Sequence, residues 1–316
     1  AEMAQAAAVL MGRVRKNTMA SAPGRGRGEG QRRIASEHTA DAAGAAVDGK
    51  ARGGGRHGKA RVRAEQARKR ATFPLINNKI MAAADTGNLS LLVATIQENL
   101  PRMNLVNLST SLHRFAKLTT GDEPSRLALR QHPVMSQCLT AVRAALERAE
   151  SNRAPPQCQA LSNVTWSLAM IHYADLPLLQ MVADTSCRSV AHFKPFELSP
   201  MLWAFAKLGD LDPAVRACSA PLFDVASKDI VARTSDFTFR CLVMVAYAFA
   251  AAEHSDEALF RQLEKGLLSP LQTASCQEVE QVAWAFARTG AAGSHPRLFK
   301  EIAQKMVHRL GSFQPE

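Results

Sequence analysis

The chain has 316 residues, of which 47% are hydrophobic and 21% charged, a composition that suits a globular protein of one or two domains and excludes full disorder. Charged or polar residues interrupt every apolar run before it reaches the roughly 18 to 20 residues of a membrane-spanning helix, so no membrane span is predicted. The formal net charge of +11 is unevenly distributed: residues 1–72 contain 16 Lys and Arg against 6 Asp and Glu, whereas residues 73–316 contain 23 against 22.

Residues 1–72 are predicted to form a basic, low-complexity arm. Most of this segment is Gly, Ala and Arg, and it has too few large apolar side chains to offset the entropy cost of folding, so we expect disorder. The arm is either a flexible contact for RNA phosphates or a solvated linker. Its candidate RNA-binding residues are Arg25, Arg27, Arg52 and Arg56.

Residues 3–16 place apolar side chains at helical spacing beside basic ones, as an organelle-targeting segment does, although an ordinary linker is the alternative.

Residues 73–100 are predicted to form a degenerate opening helical hairpin that caps the rest of the chain. Its apolar stripe consists of Leu89, Leu91, Leu92, Ile96 and Leu100.

One pattern then occurs five times. Its copies are LSTSLHRFA at 108–116, LSNVTWSLA at 161–169, LSPMLWAFA at 198–206, LVMVAYAFA at 242–250 and VEQVAWAFA at 279–287. The ring position of the pattern is occupied by His113, Trp166, Trp203, Tyr247 and Trp284, at spacings of 53, 37, 44 and 37 residues. Apolar residues lie five before, one before, two after and three after the ring, on one face of an α-helix. We therefore predict a helix for each copy, with its ring packed in the interior between neighbouring repeats.

A second helix is predicted after each copy, over residues 133–148, 176–190, 213–230, 256–268 and 296–310. Asp212 before Pro213, Asp256, and His295 before Pro296 suit the unpaired N–H groups and positive dipole of a first turn. Gly209 and Gly290 stand where first helices are expected to end. Hairpins at a period near 37 predict an α-solenoid over residues 73–316, because one hairpin cannot bury both of its faces alone.

The end of the chain resembles the linker into the third repeat, since SFQPE at 312–316 matches HFKPFE at 192–197. We expect either a further first helix beyond it, in a longer protein, or a partner that covers the apolar end.

The sequence predicts no enzyme, no metal and no cofactor. The six cysteines lie more than 15 residues apart without ligand spacing, and they are expected to be small buried side chains in a reducing compartment. Residues 53–59 match the spacing of a phosphate-binding NTPase loop, but Ala60 replaces the Ser or Thr that would hold magnesium, and no apolar strand precedes them. Neither a zinc-protease motif nor a nucleophile elbow occurs.

Residues 193–209, FKPFELSPMLWAFAKLG, resemble the repeat signature of octatricopeptide repeat proteins, which are related to the FAST kinase-like and RAP-containing proteins. The resemblance covers residues 103–316 and is most specific in the third and fifth repeats. It implies a right-handed α-solenoid, here of about five to six helical-hairpin repeats, that binds single-stranded RNA in a mitochondrion or plastid and acts in transcript stability, processing, splicing or translation. His113 departs from the usual Trp, the longer spacings imply insertions, and no RAP domain follows.

Outward positions of the first helices are candidate RNA contacts, because repeat proteins use a few side chains per repeat to contact successive bases. Three residues before the ring stand Thr110, Asn163 and Gln281, which can hydrogen-bond base edges. Four residues after it stand Lys117, Lys207 and Arg288, which can contact phosphates. The alternative for each is an ordinary solvated surface residue, and Pro200 and Met244 interrupt a continuous code.

A second hypothesis is a structural or scaffolding subunit of an organellar ribosome or another large complex. The nearly neutral repeat region and the unfinished apolar end favour it, with the repeats binding protein and the arm binding ribosomal RNA.

Overall fold

The computed structural model describes residues 72–289 and 294–308. The predicted arm, with its targeting segment and four candidate arginines, lies outside these residues, as do Gly290 and the final segment 312–316. Within the described residues the protein is all-α and contains no β-strand, as predicted. None of the described helices is long and apolar enough to cross a membrane.

Thirteen helices follow one another in the described residues. The first is a helix over residues 72–85, named α1, and it is followed by α2 at Leu89–Asn99. The five predicted first helices are α3 at Leu105–Thr119, α6 at Cys158–Ile171, α8 at Pro195–Leu211, α10 at Phe239–Ala251 and α12 at Cys276–Arg288. The five predicted second helices are α5 at Pro133–Ser151, α7 at Leu176–Ser189, α9 at Pro213–Ala232, α11 at Glu257–Leu268 and α13 at Pro296–His308. One unpredicted helix, α4, spans Glu123–Gln131.

The helices pack in two rows. The first helices contact one another in the order α3, α6, α8, α10 and α12, and the second helices in the order α5, α7, α9, α11 and α13. The opening hairpin extends both rows: α1 contacts α3 through a hydrogen bond from Asn107 Nδ2 to the Phe73 carbonyl oxygen at 3.0 Å, and α2 packs against α3 and α5. Each hairpin therefore buries its apolar faces against the hairpins before and after it, which is the arrangement of a helical repeat protein.

The uneven spacing of the ring position has two structural causes. Helix α4 is inserted between α3 and α5, which accounts for the 53 residues from His113 to Trp166. The 44 residues from Trp203 to Tyr247 are accommodated by longer helices, since α8 has 17 residues and α9 has 20, against 14 in each of α6 and α7. The insertions thus lengthen single repeats without interrupting either row.

Capping side chains begin the helices at the predicted places. The Asp212 carboxylate accepts the Ala214 N–H at 2.9 Å, and the Asp256 carboxylate accepts the Leu259 N–H at 2.9 Å. The prediction that Gly209 ends α8 is wrong, because the helix continues to Leu211. Gly209 lies where α9 crosses closely: a Cβ added to it would stand 3.1 Å from Arg216 Cβ. The glycine permits close packing of the two helices rather than a turn.

The interior is formed by the apolar positions of the repeated pattern. Leu108, Leu112 and Phe115 in α3, and Leu198, Leu202 and Phe205 in α8, are at most 1% exposed. In the opening hairpin Leu92 and Ile96 are buried as predicted, but Leu91 is 45% exposed. The prediction for Leu91 is wrong because it rests on sequence spacing alone, whereas the side chain lies on the solvent side of α2.

The six cysteines are free thiols, as expected. Cys138, Cys158 and Cys241 are buried, whereas Cys187, Cys218 and Cys276 are half-buried. Burial raises the pKa of Cys138 to about 12, so this thiol is protonated and unreactive at neutral pH.

Candidate nucleic-acid interface

The side of the first-helix row that faces away from the second helices carries the candidate site. Four positions in each first helix share this side: seven before the ring, three before it, the ring itself, and four after it, all within about 60° around a 3.6-residue helix. We call these positions the outer face. The outer face consists of Val106, Thr110, His113 and Lys117; Gln159, Asn163, Trp166 and Met170; Phe196, Pro200, Trp203 and Lys207; Arg240, Met244, Tyr247 and Ala251; and Gln277, Gln281, Trp284 and Arg288. Apart from Tyr247 and Ala251, these residues are half-buried or exposed.

The outer face contains no acidic residue, although the repeat region as a whole is nearly neutral. Exposed acidic residues lie at other positions: Glu147, Asp184, Asp224 and Glu257 belong to the second helices α5, α7, α9 and α11 respectively, and Asp210 lies near the end of the first helix α8. The four outer-face positions therefore carry cationic and neutral side chains only, although both rows contain residues of both charges. A surface with only neutral and cationic groups attracts polyanions even when the net charge of the domain is small.

Aromatic rings connect neighbouring first helices along this face. The His113 and Trp166 rings meet edge to face with centroids 4.9 Å apart, and the Tyr247 and Trp284 rings stack at 4.9 Å. Lys207 Nζ lies over the Tyr247 ring at 5.2 Å, so contacts of this kind link α8, α10 and α12. The rings do pack between repeats, but most are only half-buried, and the deep interior is occupied by the residue two positions later, as in Phe205 and Phe249.

The structure places the predicted polar contacts on the outer face without bringing them into one pocket. Thr110, Asn163 and Gln281 are half-buried and belong to different helices. The Thr110 hydroxyl donates to the Val106 carbonyl oxygen at 2.8 Å, which leaves its oxygen free only as an acceptor. Lys117 is exposed, whereas Lys207 is half-buried against Tyr247.

Arg288 differs from the two lysines because its guanidinium is already engaged by the protein. Its Nε donates to the Ala250 carbonyl oxygen at 3.1 Å, and its Nη2 donates to Glu253 at 2.8 Å. The guanidinium also lies 5.5 Å from the centroid of the Trp284 ring. Arg288 thus carries positive charge to the carbonyl end of α10, where it compensates the helix dipole, and this packing role competes with a phosphate contact.

The inserted helix α4 supplies comparable cations to the carbonyl end of α6. Arg126 and Arg130 donate to the carbonyl oxygens of Met170 and Ile171, each at 3.4 Å, and both also pair with Glu123. The outer-face position at this end of α6 is occupied by the uncharged Met170. The insertion therefore adds positive charge to a repeat that has none of its own there.

Two histidines on or near this face are held neutral. Burial lowers the pKa of His113 to about 4, with further lowering from Lys117 and Arg114. Burial also lowers the pKa of His172, and Arg126, Arg130 and Lys207 lower it further. In both cases burial is the larger cause, and nearby Lys and Arg side chains add to it.

The outer-face position seven residues before the ring was not predicted from the sequence. It includes Phe196, which is 56% exposed, and Arg240, which is exposed, and both lie two residues before the repeated pattern begins. A search that starts at the pattern omits this position, and extending the outward stripe by one more turn would have found it.

Within the described residues no group of His, Cys, Asp and Glu is arranged to hold a metal ion.

No family model matches the chain, and no curated protein is significantly similar to it.

Proposed function

We propose that this chain binds single-stranded RNA along the outer face of its first helices, as a binding protein rather than an enzyme. The observation that carries the proposal is the composition of the outer face, which combines Lys117, Lys207, Arg240 and Arg288 with six rings and several amides, and has no carboxylate. Cations attract the phosphate backbone, while rings and amides suit unpaired bases.

The preference for single strands over duplexes follows from the chemistry of the face. Base edges and base planes are accessible in single strands, whereas a duplex presents mostly phosphate and sugar to side chains. The face offers one ring at the repeated position in each repeat, together with half-buried amides at Asn163 and Gln281, which suits successive unpaired bases. Pro200, Met244 and Ala251 interrupt the polar positions, so we expect contacts of uneven specificity rather than a continuous code.

We further propose that the two helical rows form a right-handed α-solenoid of about five to six repeats of the octatricopeptide kind. The support is the sequence resemblance together with the hairpin stacking described above. On that basis the protein acts in a mitochondrion or plastid, in transcript stability, processing or translation. The basic arm at residues 1–72 adds sequence-independent affinity for phosphates.

The test is a binding titration of the full chain and of a chain without residues 1–71, using fluorescein-labelled single-stranded and duplex RNA at several salt concentrations. We expect both proteins to prefer the single strand, and the shortened protein to bind more weakly with a smaller salt dependence. A shortened protein that does not distinguish single strands from duplexes at low salt would contradict the proposal.

A second candidate, a scaffolding subunit of an organellar ribosome or another complex, is favoured by a different surface. A shallow groove of ≈ 380 Å³ lies on the second-helix row. Its lining is Leu100, Ser136, Gln137, Thr140, Ala141 and Ala144, which are uncharged and half of them polar, so the groove offers no cation for phosphate. Crosslinking in the native organelle followed by identification of bound RNA and protein separates the candidates, since RNA crosslinks should map to the outer face and protein crosslinks to this groove.

A further inference from the structure

We infer that Phe196 is a base-stacking residue that binds one unpaired nucleotide on the outer face. This inference rests on the proposed function, and it specifies where and how a base is held. Phe196 is not part of the repeated pattern, and the residues at the equivalent position of the other repeats are Val106, Gln159, Arg240 and Gln277, none of them aromatic.

The exposure of Phe196 is unusual for its kind. Phe193 and Phe205 are at most 1% exposed, and Phe239 and Phe299 are half-buried, whereas Phe196 is 56% exposed. It belongs to a helix in which Leu198, Leu202 and Phe205 are buried, and in which Leu211 at the opposite end is the other exposed large apolar residue. A phenyl ring with more than half of its surface exposed has a face that unpaired bases can stack on regardless of their identity.

The backbone around Phe196, at the start of α8, is held by hydrogen bonds and by a proline. The Lys194 N–H donates to the Glu197 carboxylate at 2.9 Å, and Pro195 begins the helix with its fixed φ angle. Phe193, which precedes Lys194, is buried, and its carbonyl oxygen accepts a hydrogen bond from Arg233 Nη2 at 2.8 Å. A ring on so constrained a turn binds a base with little loss of backbone entropy.

The charges around the ring suit a nucleotide and not a cationic or neutral apolar ligand. Lys194 Nζ lies 5.7 Å from the centroid of the Phe196 ring, and Lys207 lies three turns further along the same helix. Arg240 occupies the equivalent position on α10, the next first helix, which packs directly against α8. Cations before and beside the ring are placed to contact the phosphates that flank a stacked base.

Pro200, one turn after Phe196, removes a hydrogen-bond donor from the Phe196 carbonyl oxygen. Proline has no N–H, so the Phe196 carbonyl oxygen lacks the helical donor that position 200 would otherwise supply. A carbonyl oxygen without that donor can accept from an exocyclic amine or a ribose hydroxyl. Pro200, which prevents side-chain recognition at its own position, thereby supports recognition at Phe196.

The test uses the full chain and three variants, Phe196→Ala, Phe196→Trp and Leu211→Ala. Leu211 is the matched control, because it is 50% exposed at the opposite end of the same helix and lies outside the outer face. Affinity is measured by fluorescence anisotropy with a fluorescein-labelled random-sequence single-stranded RNA pool and with a fully paired RNA duplex. Circular dichroism melting confirms that each variant is folded.

We expect Phe196→Ala to weaken single-strand binding by about ten-fold or more, with no change in duplex binding. Phe196→Trp should retain or strengthen single-strand binding and show additional fluorescence quenching when RNA is added, and Leu211→Ala should behave as the unaltered chain. Unchanged single-strand affinity in Phe196→Ala, or an equal loss in Phe196→Trp, overturns the stacking role while leaving the proposed function intact. If the unaltered chain itself does not prefer single strands, the proposed function fails and the stacking role fails with it.

Discussion

Tyr247 of α10 and Trp284 of α12 stack with their centroids 4.9 Å apart and their planes inclined by 26°. These residues occupy equivalent positions in adjacent repeats, so their contact is a direct link between one hairpin and the next. Lys207 over the Tyr247 ring and Arg288 beside the Trp284 ring extend the link at both ends. The outer face is thus part of the packing between repeats as well as a candidate binding surface.

The stacked pair should contribute measurably to stability. We expect Trp284→Ala to lower the free energy of unfolding by about 2 to 3 kcal/mol, since it removes a half-buried ring and the cross-repeat stack together. Trp284→Phe, which keeps a ring, should cost about 1 kcal/mol. Denaturant unfolding followed by circular dichroism measures both, and equal destabilisation by the two variants would contradict a role for the stack.

Substitutions of Arg288 and Lys117 should have different effects, the first on folding stability and the second on RNA affinity. Arg288 donates to Ala250 and Glu253, so Arg288→Ala should lower the free energy of unfolding by about 1 to 2 kcal/mol. Lys117 is exposed, so Lys117→Ala should leave unfolding unchanged and weaken RNA binding several-fold. Parallel unfolding and anisotropy titrations test the contrast, which fails if Lys117→Ala is the more destabilising of the two.

Replacing Gly209 by Ala should not raise the free energy of unfolding, although such a change usually does so within a helix. Ala in place of Gly normally stabilises a helix interior by about 1 kcal/mol. In Gly209→Ala the new Cβ would stand 3.1 Å from Arg216 Cβ and 3.3 Å from Arg216 Cα, so α9 must move away. We expect a net loss of about 1 kcal/mol in denaturant unfolding, and a stabilised variant would show that the two helices are not so closely packed.

His113 should make stability depend on pH. Its pKa is lowered from 6.5 to about 4 in the folded protein, so below pH 6.5 the unfolded chain binds a proton that the folded chain does not. Stability therefore falls as pH decreases from 6.5 to about 4, by roughly 2 to 3 kcal/mol from this group. His113→Phe retains a ring but cannot titrate, so the unfolding free energy of the unaltered chain minus that of the variant should decrease towards acid. A constant difference between pH 7 and pH 4.5 would contradict the assignment.

The sequence predicted the architecture of the repeats because helical periodicity and capping residues are local signals. The bounds of the second helices agree with prediction to within a few residues, as in the start at Pro213 and the Asp212 cap. Gly209 and Leu91 were assigned wrongly because their roles depend on which neighbouring helix approaches, and that is information a local pattern lacks. Helix α4 was seen only as excess spacing, since its sequence does not belong to the repeat.

The candidate site was predicted in part. The two outward positions flanking the ring pattern follow from periodicity, and the structure places Thr110, Lys117 and Lys207 there. Periodicity alone could not show that Arg288 is engaged by Ala250 and Glu253, or that Lys207 lies over the Tyr247 ring. Both depend on how helices distant in sequence are arranged.

The most direct test of the account reverses charge on the outer face and compares it with the same reversal elsewhere. The test protein carries Lys117→Glu and Arg240→Glu, and its control carries Lys228→Glu and Lys265→Glu, exposed residues of second helices α9 and α11. Both changes alter the net charge equally. Single-strand RNA affinity is measured against salt concentration. We expect only the outer-face protein to lose about ten-fold or more in affinity, with its salt slope reduced by about 1 to 1.5. An equal loss in both proteins would contradict RNA binding on the outer face.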